Sequence, residues 1–113
     1  MPFIQVNVSQ ALEDTKKDQL KAKLGELITL IPGKTEAVTM VDIADKRSIY
    51  KDGKPIDGGF IEVRLYGPAE QASKEAMTEA MFSAMEQLLG VKPQDLYLNI
   101  FEMNSWGTNG RLK

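Results

Sequence analysis

Apolar residues in the first third of the chain change their spacing twice. Residues 3–8 place Ile, Val and Val on one face of an extended segment, which predicts a β-strand. Leucine and isoleucine then recur every three or four positions, which predicts a helix that Thr15 caps and Pro32-Gly33 ends. These apolar positions are Leu20, Leu24, Leu27, Ile28 and Ile31. With a second strand over residues 37–43, the segment is predicted to form a β-α-β unit.

The second half of the chain repeats this order of elements. Strands are predicted over residues 60–66 and 95–102, and between them a helix is predicted over residues 69–89, ending at Gly90. The polar segment 45–59 joins the two halves. Its Asp-Gly and Asp-Gly-Gly sequences are typical of turns and predict a loop or a hairpin.

A constant offset of 57 positions superposes the two halves without a gap, so that Phe3 falls on Phe60. Such a match is typical of a duplicated module. We therefore predict one domain over residues 1–113 with an internal repeat, 2–45 and 59–102.

The predicted fold class is α+β: duplicated β-α-β units that form a four-stranded sheet with two helices on one face. The opposite face would carry a mixture of aromatic, charged and amide side chains. These are Phe3, Gln5, Asn7, Met40, Asp42, Phe60, Glu62, Arg64, Tyr66, Tyr97, Asn99 and Phe101. That mixture indicates contact with a second copy of the chain, and the alternative is a monomer whose C-terminal tail covers the sheet.

Composition excludes several classes of function. The charged fraction of 27% and the net charge of -2 predict no nucleic-acid partner. No apolar run reaches the length of a membrane span and the first 20 residues carry charges, so we expect no membrane partner and a cytoplasmic location. The absence of Cys and His excludes thiol nucleophiles, disulfides, Cys/His zinc sites and imidazole catalysis.

Proton chemistry near neutral pH must then use a carboxylate, a lysine, a tyrosine or the chain's amino terminus. If Met1 is removed, the chain begins with the secondary amine of Pro2. An α-amino group titrates near about pH 8, and burial lowers its pKa, so the amine would be a neutral base. The alternative is a proline that only begins an edge strand, and a retained Met1 would hold the nitrogen of Pro2 in an amide.

Several short motifs stand in a recognisable order along the whole chain. Pro2 follows the initiator, Gly33-Lys34 follows the first helix, and Tyr66-Gly67 ends the third strand. Tyr97-x-Asn99 is followed by Glu-Met-Asn. With the duplicated β-α-β pattern, the chain resembles the tautomerase superfamily. The likeness is greatest to its macrophage migration inhibitory factor-like branch, and 4-oxalocrotonate tautomerase is the single-module relative.

The resemblance implies a homotrimer whose sheets form a central barrel, with active sites at the subunit interfaces. It implies a cofactor-independent, metal-free isomerase, a keto–enol tautomerase of small 2-oxo acids, in which Pro2 is the general base. Lys34 would pair with the substrate carboxylate or enolate, and Tyr66 would supply a backbone N–H and a pocket wall. Tyr97 and Asn99 would reach the site from a neighbouring subunit.

Some positions keep two interpretations. Arg64 either binds substrate or pairs with Glu62 inside the barrel. Lys34 either binds substrate or only interacts favourably with the dipole of the preceding helix. Residues 105–110 resemble a closing hairpin that pairs with a neighbour, and Trp106 could line the pocket or anchor that contact.

Two features of the sequence differ from the pattern of the family and bear on its activity. The tautomerase function also has two alternatives. Residues 35–38 lack the aromatic residue of cytokine-type members, which counts against an aromatic substrate, and the missing Cys-x-x-Cys element excludes thiol oxidoreductase activity. One alternative is the same scaffold with dehalogenase, hydratase or decarboxylase activity. The other is a non-enzymatic oligomeric binding protein in which Pro2 is incidental.

Overall fold

The computed structural model describes residues 1–113, and a four-stranded mixed sheet lies at its centre. The chain order of its strands and helices is β1 Phe3–Val8, α1 Asp14–Leu27, β2 Met40–Ala44, β3 Tyr50–Lys51, β4 Lys54–Pro55, β5 Gly59–Tyr66, α2 Gln71–Leu89, β6 Leu96–Met103, β7 Gly107–Thr108 and β8 Arg111–Leu112. Single 3₁₀ turns occupy Ile28–Leu30, Glu36–Val38 and Pro93–Asp95. The large sheet has the strand order β2-β1-β5-β6, and the other four strands form two separate hairpins.

The strand register is the same in both halves of the sheet. β1 pairs in parallel with β2, and Met40 lies opposite Phe3, 37 positions before it. β5 pairs in parallel with β6, and Tyr97 lies opposite Phe60, again 37 positions away. β1 and β5 join the two units in antiparallel fashion. The predicted α+β class, with duplicated β-α-β units, is confirmed.

A core of 18 apolar residues fills the space between the sheet and the helices. The fully buried strand residues come from one face of the sheet and are Ile4, Val6 and Val8 of β1, Ile61, Val63 and Leu65 of β5, and Leu96 of β6. They pack against apolar side chains of both helices, among them Leu24 of α1 and Met81 of α2. No polar or charged side chain is buried. Both helices therefore cover one face, as predicted, and neither has the length and apolar character needed to cross a bilayer.

Two local predictions are wrong. Thr15 does not cap α1, because the helix begins at Asp14 and its N-cap residue makes no side-chain hydrogen bond. The predicted strand 37–43 begins late, and its first residues form a 3₁₀ turn. The reason is the length of β1: pairing starts where the Met40 N–H donates to the Pro2 carbonyl, at 3.2 Å.

The polar segment between the two halves forms the short hairpin β3-β4. Its turn is Asp52-Gly53, with φ of 54° and 69°. Positive φ at both central residues gives a two-residue turn whose twist suits a hairpin. Asn109-Gly110, with φ of 53° and 78°, makes the same kind of turn between β7 and β8.

Candidate active site

Pro2 is buried at one end of the sheet, directly before β1. Its carbonyl accepts the hydrogen bond from Met40 that begins the β1-β2 pairing. Beside it lies an open cleft of about 990 Å³. The cleft is lined by three segments, residues 1–3, 37–40 and 106–113. The first and last segments of the chain therefore meet at Pro2.

Lys34 and Tyr66 lie close together at this end of the sheet. Nζ of Lys34 donates a hydrogen bond to the Tyr66 carbonyl at 3.1 Å. The charge of Lys34 also acts on the amino terminus and lowers the pKa of its amine. The structure thus brings Pro2, Lys34 and Tyr66 to one place.

The α-amine of Met1 shows how burial and nearby charges act on an amine at this end of the sheet. Burial lowers the pKa of this amine, and the positive charges of Lys34 and Lys113 lower it further. While Met1 is attached, the nitrogen of Pro2 is an amide and has no basic lone pair. Removal of Met1 would place a secondary amine at the buried position of Pro2, beside the same cations.

The C-terminal hairpin brings a residue to the site that the sequence did not indicate. The backbone N–H of Lys113 donates to the Trp106 carbonyl at 2.8 Å. Its Nζ lies 5.9 Å from the centre of the Tyr66 ring, and the Trp106 ring is 6.5 Å from the same ring. One feature of the sequence does indicate the contact between Lys113 and Trp106. Asn109-Gly110 is typical of a two-residue turn, and such a turn returns Lys113 towards Trp106.

Tyr97 and Asn99 lie away from Pro2 within the subunit. Tyr97 pairs with Phe60, which pairs with Asn7, four residues along β1 from Phe3. That separation corresponds to about 13 Å. The Tyr97 side chain is 62% exposed, and Asn99 is exposed on the edge strand β6. One subunit therefore does not bring these two residues to Pro2.

Arg64 is held within the face of the sheet opposite the helices. Its Nη2 lies 2.7 Å from Oε2 of Glu62. Its guanidinium carbon is 5.6 Å from the ring centres of both Phe3 and Phe101. Arg64 therefore pairs with Glu62 in the structure, which is one of its two interpretations from the sequence.

No protein-family model and no curated protein matches the sequence. Solved structures do match. Leishmania major MIF2 is 26% identical, with a TM-score of 0.92, over 100% of this chain and 97% of that one. A fused 4-OT asymmetric trimer is 20% identical, with a TM-score of 0.86, over 96% and 94%. Pt0534 inactivated by 2-oxo-3-pentynoate is 14% identical, with a TM-score of 0.85, over 96% and 93%.

These likenesses extend along nearly the full length of both partners in each comparison. The chain therefore has the tautomerase-superfamily fold. Within that class it resembles the macrophage migration inhibitory factor-like and 4-oxalocrotonate tautomerase-like proteins, as its sequence predicts.

Proposed function

We propose that the protein is a cofactor-independent keto–enol tautomerase of small 2-oxo acids, with Pro2 as its general base once Met1 is removed. The observation that carries the proposal is the position of Pro2. It is buried at the side of an open cleft, and the amine next to it has a pKa lowered by burial and by two lysines. A neutral amine is the form that accepts a proton.

The proposed reaction moves one proton between carbon and oxygen. The Pro2 nitrogen takes the proton from the carbon next to the ketone, the electron pair of the broken C–H bond forms the C=C bond of the enolate, and the π pair of the C=O bond moves onto the ketone oxygen. Lys34 stabilises the negative charge on that oxygen, and the protonated amine then returns the proton to it as an enol O–H. The reverse sequence converts enol to ketone.

We further propose that the site is completed in a homotrimer, where Tyr97 and Asn99 of one subunit face Pro2 of the next. In support, both residues are exposed on the edge strand β6, Tyr97 near the far end of the sheet and Asn99 near its middle. A fused 4-OT of this fold is a trimer, and Pt0534 is inactivated by 2-oxo-3-pentynoate, a 2-oxo acid. The cytoplasmic location stays a prediction from the sequence.

The test is the conversion of a 2-hydroxy-2-enoic acid to its ketone by tag-free protein whose mass confirms that Met1 is absent. We expect Pro2→Ala to lower kcat/KM by roughly 10²–10⁴, the contribution of a positioned general base. An unchanged unfolding midpoint would exclude loss of fold. A processed wild type without activity, or a variant as fast as the wild type, would disprove the assignment.

A further inference from the structure

We propose that Lys113, which lines the Pro2 cleft, binds the carboxylate of the substrate, while Lys34 faces the oxygen that becomes the enolate. This inference deepens the proposed function and rests on it. It concerns a residue to which neither the motifs nor the resemblance assigns a role.

The first support is the position of the two ammonium groups around Tyr66. Lys34 donates to the Tyr66 carbonyl at 3.1 Å, and the Lys113 ammonium lies 5.9 Å from the centre of the Tyr66 ring. The backbone hydrogen bond from Lys113 to Trp106 closes the β7-β8 hairpin and directs the last residues towards the cleft. Both cations therefore contact Tyr66, at the end of the sheet where Pro2 lies.

The second support is the absence of acidic side chains at the site. No carboxylate lies within salt-bridge distance of Lys34 or Lys113; the four ion pairs of the protein involve other cations. No acidic side chain lines the cleft, and its charged lining residues are Arg111 and Lys113. A cleft with cationic side chains that no acidic side chain neutralises favours an anionic ligand.

The chemistry of a 2-oxo acid gives each cation a separate function. The carboxylate is charged throughout the reaction, whereas the neighbouring ketone oxygen gains charge only in the transition state. A cation on the carboxylate binds ground state and transition state alike and so acts mainly on KM. A cation on the ketone oxygen acts on kcat.

The kinetic test compares Lys113→Ala with Lys113→Arg, which keeps the charge, and with Lys54→Ala, which removes an exposed cation from the distant β3-β4 hairpin. For the 2-hydroxy-2-enoic acid, we expect Lys113→Ala to raise KM by about tenfold to a hundredfold, the range of a charge-assisted hydrogen bond, with a smaller effect on kcat. Lys113→Arg and Lys54→Ala should resemble the wild type. For the methyl ester of the same enol acid, Lys113→Ala should make no difference.

Binding of 2-oxobutanoate, followed by NMR titration, tests the inference without turnover. Lys113→Ala should weaken binding by a similar factor. An equal Kd for the wild type and the variant, equal losses with acid and ester, or no binding by either protein would overturn the role of Lys113. An inactive wild type whose 2-oxobutanoate binding depends on Lys113 would instead reject the proposed function and leave the anion site.

Discussion

Asp45 holds the start of α1 to the end of β2. Its Oδ2 accepts a hydrogen bond from the Leu12 backbone N–H at 2.8 Å, and its Oδ1 lies 3.5 Å from Nζ of Lys17. The Leu12 hydrogen bond is the largest cause, and Lys17 a further one, of a pKa of Asp45 below its ordinary value. A carboxylate with a lowered pKa stabilises the folded state in its ionised form.

We therefore expect Asp45→Asn to lower the Tm near neutral pH and to have less effect in acid. The unfolded carboxyl titrates near about pH 4, so the contribution of Asp45 is complete above that value. It is lost as the pH falls through the lower pKa of the folded state. Thermal unfolding at several pH values would measure it, with Asp52→Asn in the exposed β3-β4 turn as the control. A difference in Tm that did not shrink towards acid pH would contradict this account.

Residues of the site differed in how far the sequence predicted them. Pro2 could be singled out because the composition leaves few other bases. Lys34 and Tyr66 follow predicted elements, and the sheet then places them beside Pro2. Lys113 was missed although Asn109-Gly110 predicts a turn there, because a turn does not show where its hairpin packs. The Leu12–Asp45 hydrogen bond could not be predicted, because it joins residues 33 positions apart whose contact depends on the path of the intervening chain.

At the scale of elements, α2 ends at a residue in the left-handed conformation. Gly90 has φ of 70°, and its N–H donates to the Glu86 carbonyl at 2.9 Å. A Cβ at this position would meet nothing within 4 Å. The requirement for glycine is therefore one of backbone conformation and not of space.

Gly90→Ala should lower the free energy of unfolding by about 1 kcal/mol, the cost of placing a Cβ in the left-handed region. Gly90→Asn should cost less, because asparagine tolerates this region better. Urea denaturation of the two variants would measure both. Equal losses from Ala and Asn would indicate that a steric or packing effect is responsible.

The elements were predicted best where the spacing of apolar residues is regular. Their exact ends depend on strand pairing. Both helices and all four long strands follow the periodicity to within a few residues. The beginning of β2 was missed because strand length depends on the partner, and β1 begins only at Phe3. The cap of α1 was misassigned because the helix begins one residue before Thr15, which places Thr15 inside the first turn, and the N-cap residue Glu13 makes no side-chain hydrogen bond.

For the whole molecule, the uncovered face of the sheet is the main feature that one subunit leaves unexplained. Large apolar side chains on this face are exposed, among them Met40, Tyr97 and Phe101. The C-terminal hairpin lies beside Pro2 and does not cover them, so the predicted alternative of a tail folded across the sheet is not what the chain forms. Burial of this face against other copies is the arrangement that the proposed trimer requires.

We expect a mass in solution of three times 12.6 kDa, and Phe101→Asp should reduce it to that of one subunit. Phe101 is 39% exposed on the open face, so a charge there opposes assembly more than folding. Leu30→Asp, at a site 42% exposed beyond α1, is the matched control and should stay a trimer. Light scattering would measure the masses. The monomeric variant should also lose activity, since Tyr97 and Asn99 would no longer meet Pro2; a fully active monomer would exclude the shared site.

The identical register of the two halves lets equivalent positions be compared directly. At the offset of 57, Lys34 corresponds to the fully buried Val91, Pro2 to Gly59 and Asn99 to Asp42. Under the proposed mechanism, the first copy supplies the amine and its cation, and the second supplies the groups that act across the interface. Under that mechanism neither half by itself holds a complete set of reactive groups, so a single β-α-β unit cut from this chain would not form a complete site.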